Sequence, residues 1–439
     1  MSMNSRRGPD LMRRSLLKLA GWSAIGATLP MGFRSFAATE GYSGPLFVCV
    51  QVNGGWDVTS FCDPKTNQPG EAPINTWAET GEVQQVGNIR YAPFAGNAAF
   101  FQKYYQDMLV INGIDAQTNS HSAGVTHTWS GRLSEGYPTV TALAASVHAP
   151  TLPMAYVSGG GYQETAGLVR YTTLSDPAGL RDLILGNVTA WNQDNSYRHQ
   201  EDLDRIKAYQ LARLEDMMQR DGLTPRQRHG LETYYQARLS RDQLTAFAEA
   251  LPDNDELQGI VDVFQGQRSS LLRQIQVALL GFQAGVGMAA DLFVSGFDTH
   301  QLHDQEHEPA MAHLTAALDY LWTYAEELGV ADRLTVFIGS DFARTPAYNS
   351  SEGKDHWPIG SAIFMQKNAA WGNRVVGETT ELHEARNLSP DTLEVDEVNG
   401  RRIYPGDVQL AMRELAGVDQ HPNATPFPIS TGEPMNFFS

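Results

Sequence analysis

Short unbroken apolar runs alternate along this chain with longer stretches in which apolar residues recur every three or four positions. Leu46 to Val52 reads LFVCVQV, a β-branched run without polar alternation, which predicts a strand buried on both faces. Comparable runs predict strands at Met108–Ile111, Leu152–Val157, Ala290–Ser295, Leu334–Ser340 and Ser361–Gln366. Helical spacing predicts helices over Thr139–Ala149, Pro309–Leu328 and Pro405–Leu415; in the second, Leu314, Leu318 and Leu321 share one face. Strand, helix and strand with short connections predict βαβ units, an α/β fold and a parallel sheet. Val398–Tyr404, with Asn399-Gly400 inside it, predicts a hairpin.

The pattern changes between about 199 and 285, where charged and glutamine-rich segments carry helical periodicity. Thr224-Pro225-Arg226-Gln227 is a helix start, with a cap hydroxyl, proline at the first helical position and glutamine at the third. Leu231, Tyr235 and Leu239 then fall on one face, and Leu244, Phe247, Ala248 and Leu251 form a second stripe. A further amphipathic helix or pair of helices is predicted from Glu256 to Gln283. The expectation is a helical insertion covering one side of a single domain that runs from 38 to 439.

Residues 1–37 belong to a different category. Arg13-Arg14-Ser15-Leu16-Leu17-Lys18 precedes an apolar run from Leu19 to Leu29, too short to span a bilayer comfortably, and Ser35-Phe36-Ala37 supplies a small-x-Ala cleavage site. Paired arginines in that register predict a twin-arginine signal, the twin-arginine translocase as a partner, and a periplasmic or extracellular mature protein. No stable membrane span is expected after cleavage. The whole chain has 32 Lys+Arg and 50 Asp+Glu. Cleavage removes six basic residues and one acid, leaving 26 against 49 and a net charge of −23. Such a surface repels polyanions, which excludes nucleic acid as an expected partner. The two cysteines, Cys49 and Cys62, form neither a zinc framework nor a Cys-x-x-Cys motif, and export leaves open whether they pair.

The chemistry gathers where apolar runs stop. Asp57 follows the first strand after Asn53-Gly54-Gly55, Asp298 and His300 follow the strand ending at Ser295, and Asp341 directly follows LTVFIGS. Asp355 and His356 precede the run at 361–366. Parallel strands in one sheet place the residues after them on one edge, the edge where open α/β sheets bind ligands. Carboxylates and imidazoles gathered there suit one or two divalent ions, with zinc, manganese, magnesium and calcium all open. The competing account is helix caps and surface ion pairs. His303 and His307 lie four apart in a polar stretch and are expected at the surface, with His303 a substitute ligand or a support behind one; His313 is expected to be a bystander. After the second strand, Ser120-His121-Ser122 opens a predicted helix whose N-terminus favours negative charge.

These motifs together (GGWD, SH, FDTH, SDFART with a following asparagine, and GKDH) resemble those of a secreted family, the domain of unknown function numbered fifteen-oh-one. That family is assigned to the alkaline phosphatase and sulfatase superfamily, and its members often carry twin-arginine signals. The resemblance runs from about Leu46 to GKDH. It implies a doubly wound, mostly parallel α/β fold of alkaline phosphatase-like type and a two-metal site with a Ser or Thr nucleophile. It also implies a small anionic phosphate or sulfate ester as substrate. Carried over, Asp57 and Asp341 would share one ion, while Asp298 and His356 would hold the other with His300 as third ligand. Asp-Phe stands at 341–342 where the superfamily has Asp-His, so His121 is a candidate replacement. Ser120 is the candidate nucleophile, with Ser122 and Thr126 as alternatives. Arg344 would either neutralise the substrate's oxyanion or pair structurally with a carboxylate. Asp355 would orient His356. Members are often encoded beside another secreted family of unknown function, which is a candidate partner. The alternative to a hydrolase is a non-catalytic exported binding or assembly protein that keeps the fold.

Overall fold

The computed structural model describes residues 41–173, 177–189, 192–239, 241–251 and 270–439. The export signal at 1–37 and the 256–269 part of the predicted amphipathic helix lie outside them.

One sheet of eight strands organises the described residues: β1 Leu46–Val52, β2 Met108–Asp115, β3 Tyr156–Ser158, β4 Tyr171–Thr173, β5 Ala289–Val294, β6 Leu334–Ser340, β7 Ile359–Gln366 and β8 Arg374–Val376. Their order across the sheet is β8-β2-β7-β6-β1-β5-β3-β4. β1 sits between β6 and β5, parallel to both, and all seven of its residues are buried, as the unbroken apolar run requires. Helices α2 His121–Ser130, α3 Val140–His148 and α7 Pro405–Leu415 form one covering layer. The other contains α1 Asn97–Tyr104, α5 Ser270–Gln283 and α6 His303–Glu327. The sheet is therefore doubly wound and mostly parallel.

One strand departs from the expected direction. β7 runs antiparallel to both β6 and β2. No helix connects β6 to β7; a loop with a two-residue antiparallel ladder, Ala343–Arg344 on His356–Trp357, turns the chain straight back. Antiparallel neighbours need no crossover, so this short connection dictates the direction. The same reversal puts residues just before β7 on the edge where β1, β2, β5 and β6 end.

The predicted hairpin at 398–404 does not form. The Asp396 carboxylate instead accepts from the backbone N–H groups of Val398 (3.0 Å) and Asn399 (2.9 Å), closing a polar turn. The helix-rich stretch contains α4 Pro225–Leu239, whose Thr224 and Gln227 exchange side-chain and backbone hydrogen bonds as predicted. Its last helix, α5, is a core element, with Leu271, Leu272, Ile275, Val277 and Leu279 buried and β5 beneath it. Cys49 and Cys62 are both free and buried. Among the described residues, no helix is long and apolar enough to cross a membrane.

Candidate metal centre

Two glycines shape the edge. Gly54 and Gly55 adopt φ values of 115° and 79°, which side chains resist. A β-carbon on Gly54 would lie 2.5 Å from the Asp298 nitrogen, so the turn after β1 abuts the turn after β5 only because no side chain intervenes. This approach also aims the Gly54 and Gly55 N–H groups at Asp341 Oδ1, at 3.2 and 2.7 Å.

Four connections meet at Asp298. His300 Nε2, His356 Nε2 and His121 Nε2 lie 3.0, 3.2 and 3.3 Å from Asp298 Oδ1, and the His300 and His356 Nε2 atoms are 2.9 Å apart. Each ring is held from behind. His356 Nδ1 donates to the Asn119 carbonyl at 2.7 Å, His300 Nδ1 donates to Asp355 Oδ1 at 2.9 Å, and His121 Nδ1 donates to Asp341 Oδ2. A neutral imidazole whose Nδ1 carries the proton presents a bare lone pair on Nε2. Three such lone pairs therefore converge on a carboxylate oxygen, and His121 Nε2, though 3.3 Å from that oxygen, makes no hydrogen bond at all. Lone pairs facing one another repel unless a cation or proton stands among them. The ligand atoms of His121, Asp298 and His356 lie within 4.8 Å of one another. Anchored Nδ1 atoms and convergent Nε2 atoms are what histidine metal sites require, so these residues fit a divalent ion.

Arg344 is fully buried. Its Nε donates to the Gly55 carbonyl at 2.8 Å and Nη1 to the Lys354 carbonyl at 3.0 Å; Nη2 donates to the Gly54 carbonyl and to Asp298 Oδ1, the latter at 2.7 Å. The guanidinium thus takes the structural role and fixes Asp298. Burial would raise the Asp298 carboxyl, but the Arg344 guanidinium beside it holds it below the usual range. Asp341 is also an orienting group here, because both its oxygens accept from Gly54, Gly55, Ser340 and His121. Asp355 orients His300, not His356 as expected.

Asp57 lies apart from this cluster, in a sealed pocket. Oδ1 accepts from the Thr59 hydroxyl at 2.6 Å. Oδ2 accepts from Lys354 Nζ at 2.7 Å, His303 Nε2 at 3.1 Å and the Ser60 hydroxyl at 3.1 Å. The His307 Nε2 accepts the Asp57 backbone N–H at 2.9 Å, a bond only an unprotonated nitrogen makes. Asp57, Lys354, His303 and His307 are each 0 % exposed. Burial pushes the Asp57 carboxyl up, but the ammonium and His303 overcome this and hold it well below the carboxylate range. Burial and neighbouring His303 press His307 the other way, far below an ordinary imidazole.

His303 and His307 are therefore core residues and not surface bystanders. α6 begins at His303, earlier than the predicted Pro309, and its inner face carries His303, His307, Ala310, Met311 and Leu314. Their four-residue spacing was the available signal; the rings stack at 4.5 Å. Lys354 was inside GKDH but a lone lysine in a polar loop offers no sign of burial. Ser120 caps α2 without a side-chain cap bond, exposed, its Oγ 3.3 Å from Ser122 Oγ. It stands between Asn119, which holds His356, and His121.

A family model described as "Protein of unknown function (DUF1501)" matches residues 46–402. No curated protein matches the chain in sequence. Solved structures similar to it include the PsFucS1 sulfatase from Pseudoalteromonas sp., at 11 % identity and a TM-score of 0.41, covering 98 % of this chain and 77 % of that one. TAB5 alkaline phosphatase, as a mutant with Mg bound in its M3 site, is similar at 8 % identity and a TM-score of 0.32, with 76 % and 94 % covered. The lipoteichoic acid synthase LtaP from Listeria monocytogenes gives 10 % and 0.31, with 97 % and 80 % covered.

Proposed function

The chain belongs to the DUF1501 family, and from that premise we propose that it is an exported metal-dependent hydrolase of phosphate or sulfate esters. The observation that carries this is the convergence of three Nδ1-anchored imidazoles on Asp298. His121, His300, His356 and Asp298 would hold one divalent ion, and three nitrogen donors favour zinc over magnesium or calcium. A divalent ion held there supplies Lewis acidity toward an ester oxygen or a hydroxyl. Asp57 does not join a second ion in this reading, because Lys354 already neutralises it.

The remaining parts are this chain's own. Ser120 is the candidate nucleophile: exposed, uncapped, flanked by two residues engaged in the cluster, and at a helix N-terminus that stabilises a developing negative charge. Arg344 and Asp341 keep Asp298 and His121 in place. Elemental analysis of the mature protein should find one metal per chain, and an aryl phosphate or sulfate should be turned over by wild type but not by Ser120→Ala. A metal-replete protein inert toward a broad ester panel would sink the proposal.

One observation favours a second reading, a non-catalytic exported binding or assembly protein. Arg344 is sealed in, so it offers no free guanidinium to a substrate oxyanion. Metal binding without any turnover, with capture of a partner from the neighbouring secreted family, would support this reading instead. Export itself is tested by Arg13→Lys with Arg14→Lys, which should strand the precursor in the cytoplasm if the twin-arginine translocase carries it to the periplasm or beyond.

A further inference from the structure

Along α2 from His121 lies a cleft of about 370 Å³, with Gln117, His127, Arg132, Ser134, Tyr404 and Thr431 among its lining residues. It flanks α2. His127 follows His121 by six residues, which a helix converts to about 9 Å along its axis, and Gln117 precedes Asn119 by two.

The charges of the cleft are unequal. Asp407 lines it, but its carboxylate is taken by Arg401 at 2.6 and 2.9 Å and by the Tyr404 N–H at 2.8 Å. Asp115, beside Gln117, is taken by Arg402 at 2.9 Å. Arg132 is different. Left-handed Gly131 ends α2 and turns the chain so that Arg132 is half-buried on the cleft wall, its guanidinium carbon 5.5 Å from the centre of the Tyr137 ring. Among the described residues no carboxylate forms an ion pair with it. In a chain with 50 acidic and 32 basic residues, a guanidinium left without a carboxylate is an available anion receptor. Alongside it, His127 Nδ1 donates to the Ala116 carbonyl at 2.9 Å, so the neutral ring keeps Nε2 to accept a hydroxyl. Burial lowers the His127 pKa and favours that neutral form. Ser134, Tyr404, Thr431 and Gln117 add polar groups of both hydrogen-bonding senses.

We propose that this cleft binds a carboxylate carried on a hydroxyl-rich ring, with Arg132 receiving the carboxylate and His127 a hydroxyl. Its place in catalysis rests on the hydrolase reading, in which the ring belongs to the alcohol portion of the ester. The binding itself does not rest on it.

The mature protein, metal-loaded and metal-free, is titrated with glucuronate and with glucose by calorimetry. Saturable glucuronate binding is expected, about tenfold or more tighter than glucose, as a charge-assisted pair requires. Arg132→Ala should lose about tenfold or more, and Arg132→Lys should recover part of the loss. Metal removal should leave the affinity unchanged. Equal affinity for the two sugars, indifference to Arg132→Ala in a variant with wild-type circular dichroism, or loss of binding on metal removal would each overturn the assignment. Failure of the hydrolase reading shows separately, as a metal-loaded protein that binds glucuronate yet turns over no ester.

Discussion

Two clusters of aspartate and histidine lie on either side of the Arg344 guanidinium, and they resolve the same electrostatic problem in opposite ways. Around Asp57 the chain supplies its own cation. The Lys354 ammonium sits 2.7 Å from the carboxylate, the pocket is sealed, and every carboxylate oxygen has protein donors. Around Asp298 the cluster reaches solvent, and its three imidazoles turn their Nε2 nitrogens inward, where among the described residues that of His121 has no hydrogen-bond partner. Residue type alone does not make a metal site. What distinguishes the two is whether the surrounding loop has already placed a positive charge.

Four measurements test that distinction. Lys354→Met has the largest expected effect, because it strands a buried carboxylate: about 3–5 kcal/mol of stability lost in denaturant unfolding. Should added divalent metal restore Lys354→Ala to wild-type stability, the closed cluster would be a metal site in waiting and the contrast would collapse. Asp298→Asn should instead lower metal affinity by about a hundredfold, close to 3 kcal/mol, while the metal-free chain unfolds at nearly the wild-type midpoint. Equilibrium dialysis with elemental analysis reads the first and denaturant the second.

Asp291 sharpens the contrast as a buried carboxylate that pairs with no cation among the described residues. Its partners are hydroxyls, Thr141 at 2.5 Å and Tyr156 at 2.6 Å, and burial raises its pKa to about 6. A raised carboxyl stabilises the fold fully below the unfolded value near 4 and loses that contribution as pH rises through 6, a loss of about 3 kcal/mol. Asp57, with its depressed pKa, works in reverse: its contribution is present above about pH 4 and disappears as acid protonates the folded form. Asp291→Asn should flatten the stability profile between pH 4 and 6, and a profile unchanged by it would mean that burial is not what sets this group. The smallest expected effect belongs to Asp355→Asn, which frees the His300 ring and should cost about tenfold in metal affinity with little change in stability.

The sequence made the open cluster easier to find than the closed one, for physical reasons. Asp298 and Asp341 were legible because each follows an apolar run, and parallel strands bring such positions to one edge; Asp57 carried the same signal, but its partners did not. His356 precedes its strand, and it reaches that edge only because β7 runs backwards, a direction set by a connection without a helix. The burial of His303 and His307 was hidden by polar neighbours, Asp304 and Glu306, which face away on the same helix. The role of Lys354 was hidden more deeply, since nothing local separates a buried lysine from a solvated one. Arg344 was left open between two roles, and nothing local in the sequence shows that the carbonyls of Gly54, Gly55 and Lys354 take its guanidinium.

The cluster around Asp298 also has a consequence for timing. Its parts come from distant points in the chain; His121 and Asp341 alone are 220 residues apart. Loop closure over such distances comes late in folding, so no partly made chain can contain the site, and metal binds only what has already folded. A precursor exported in its folded state, as proposed, would carry outward the ion supplied by the compartment where it was made, and the metal found in the mature protein would record that compartment and not its destination.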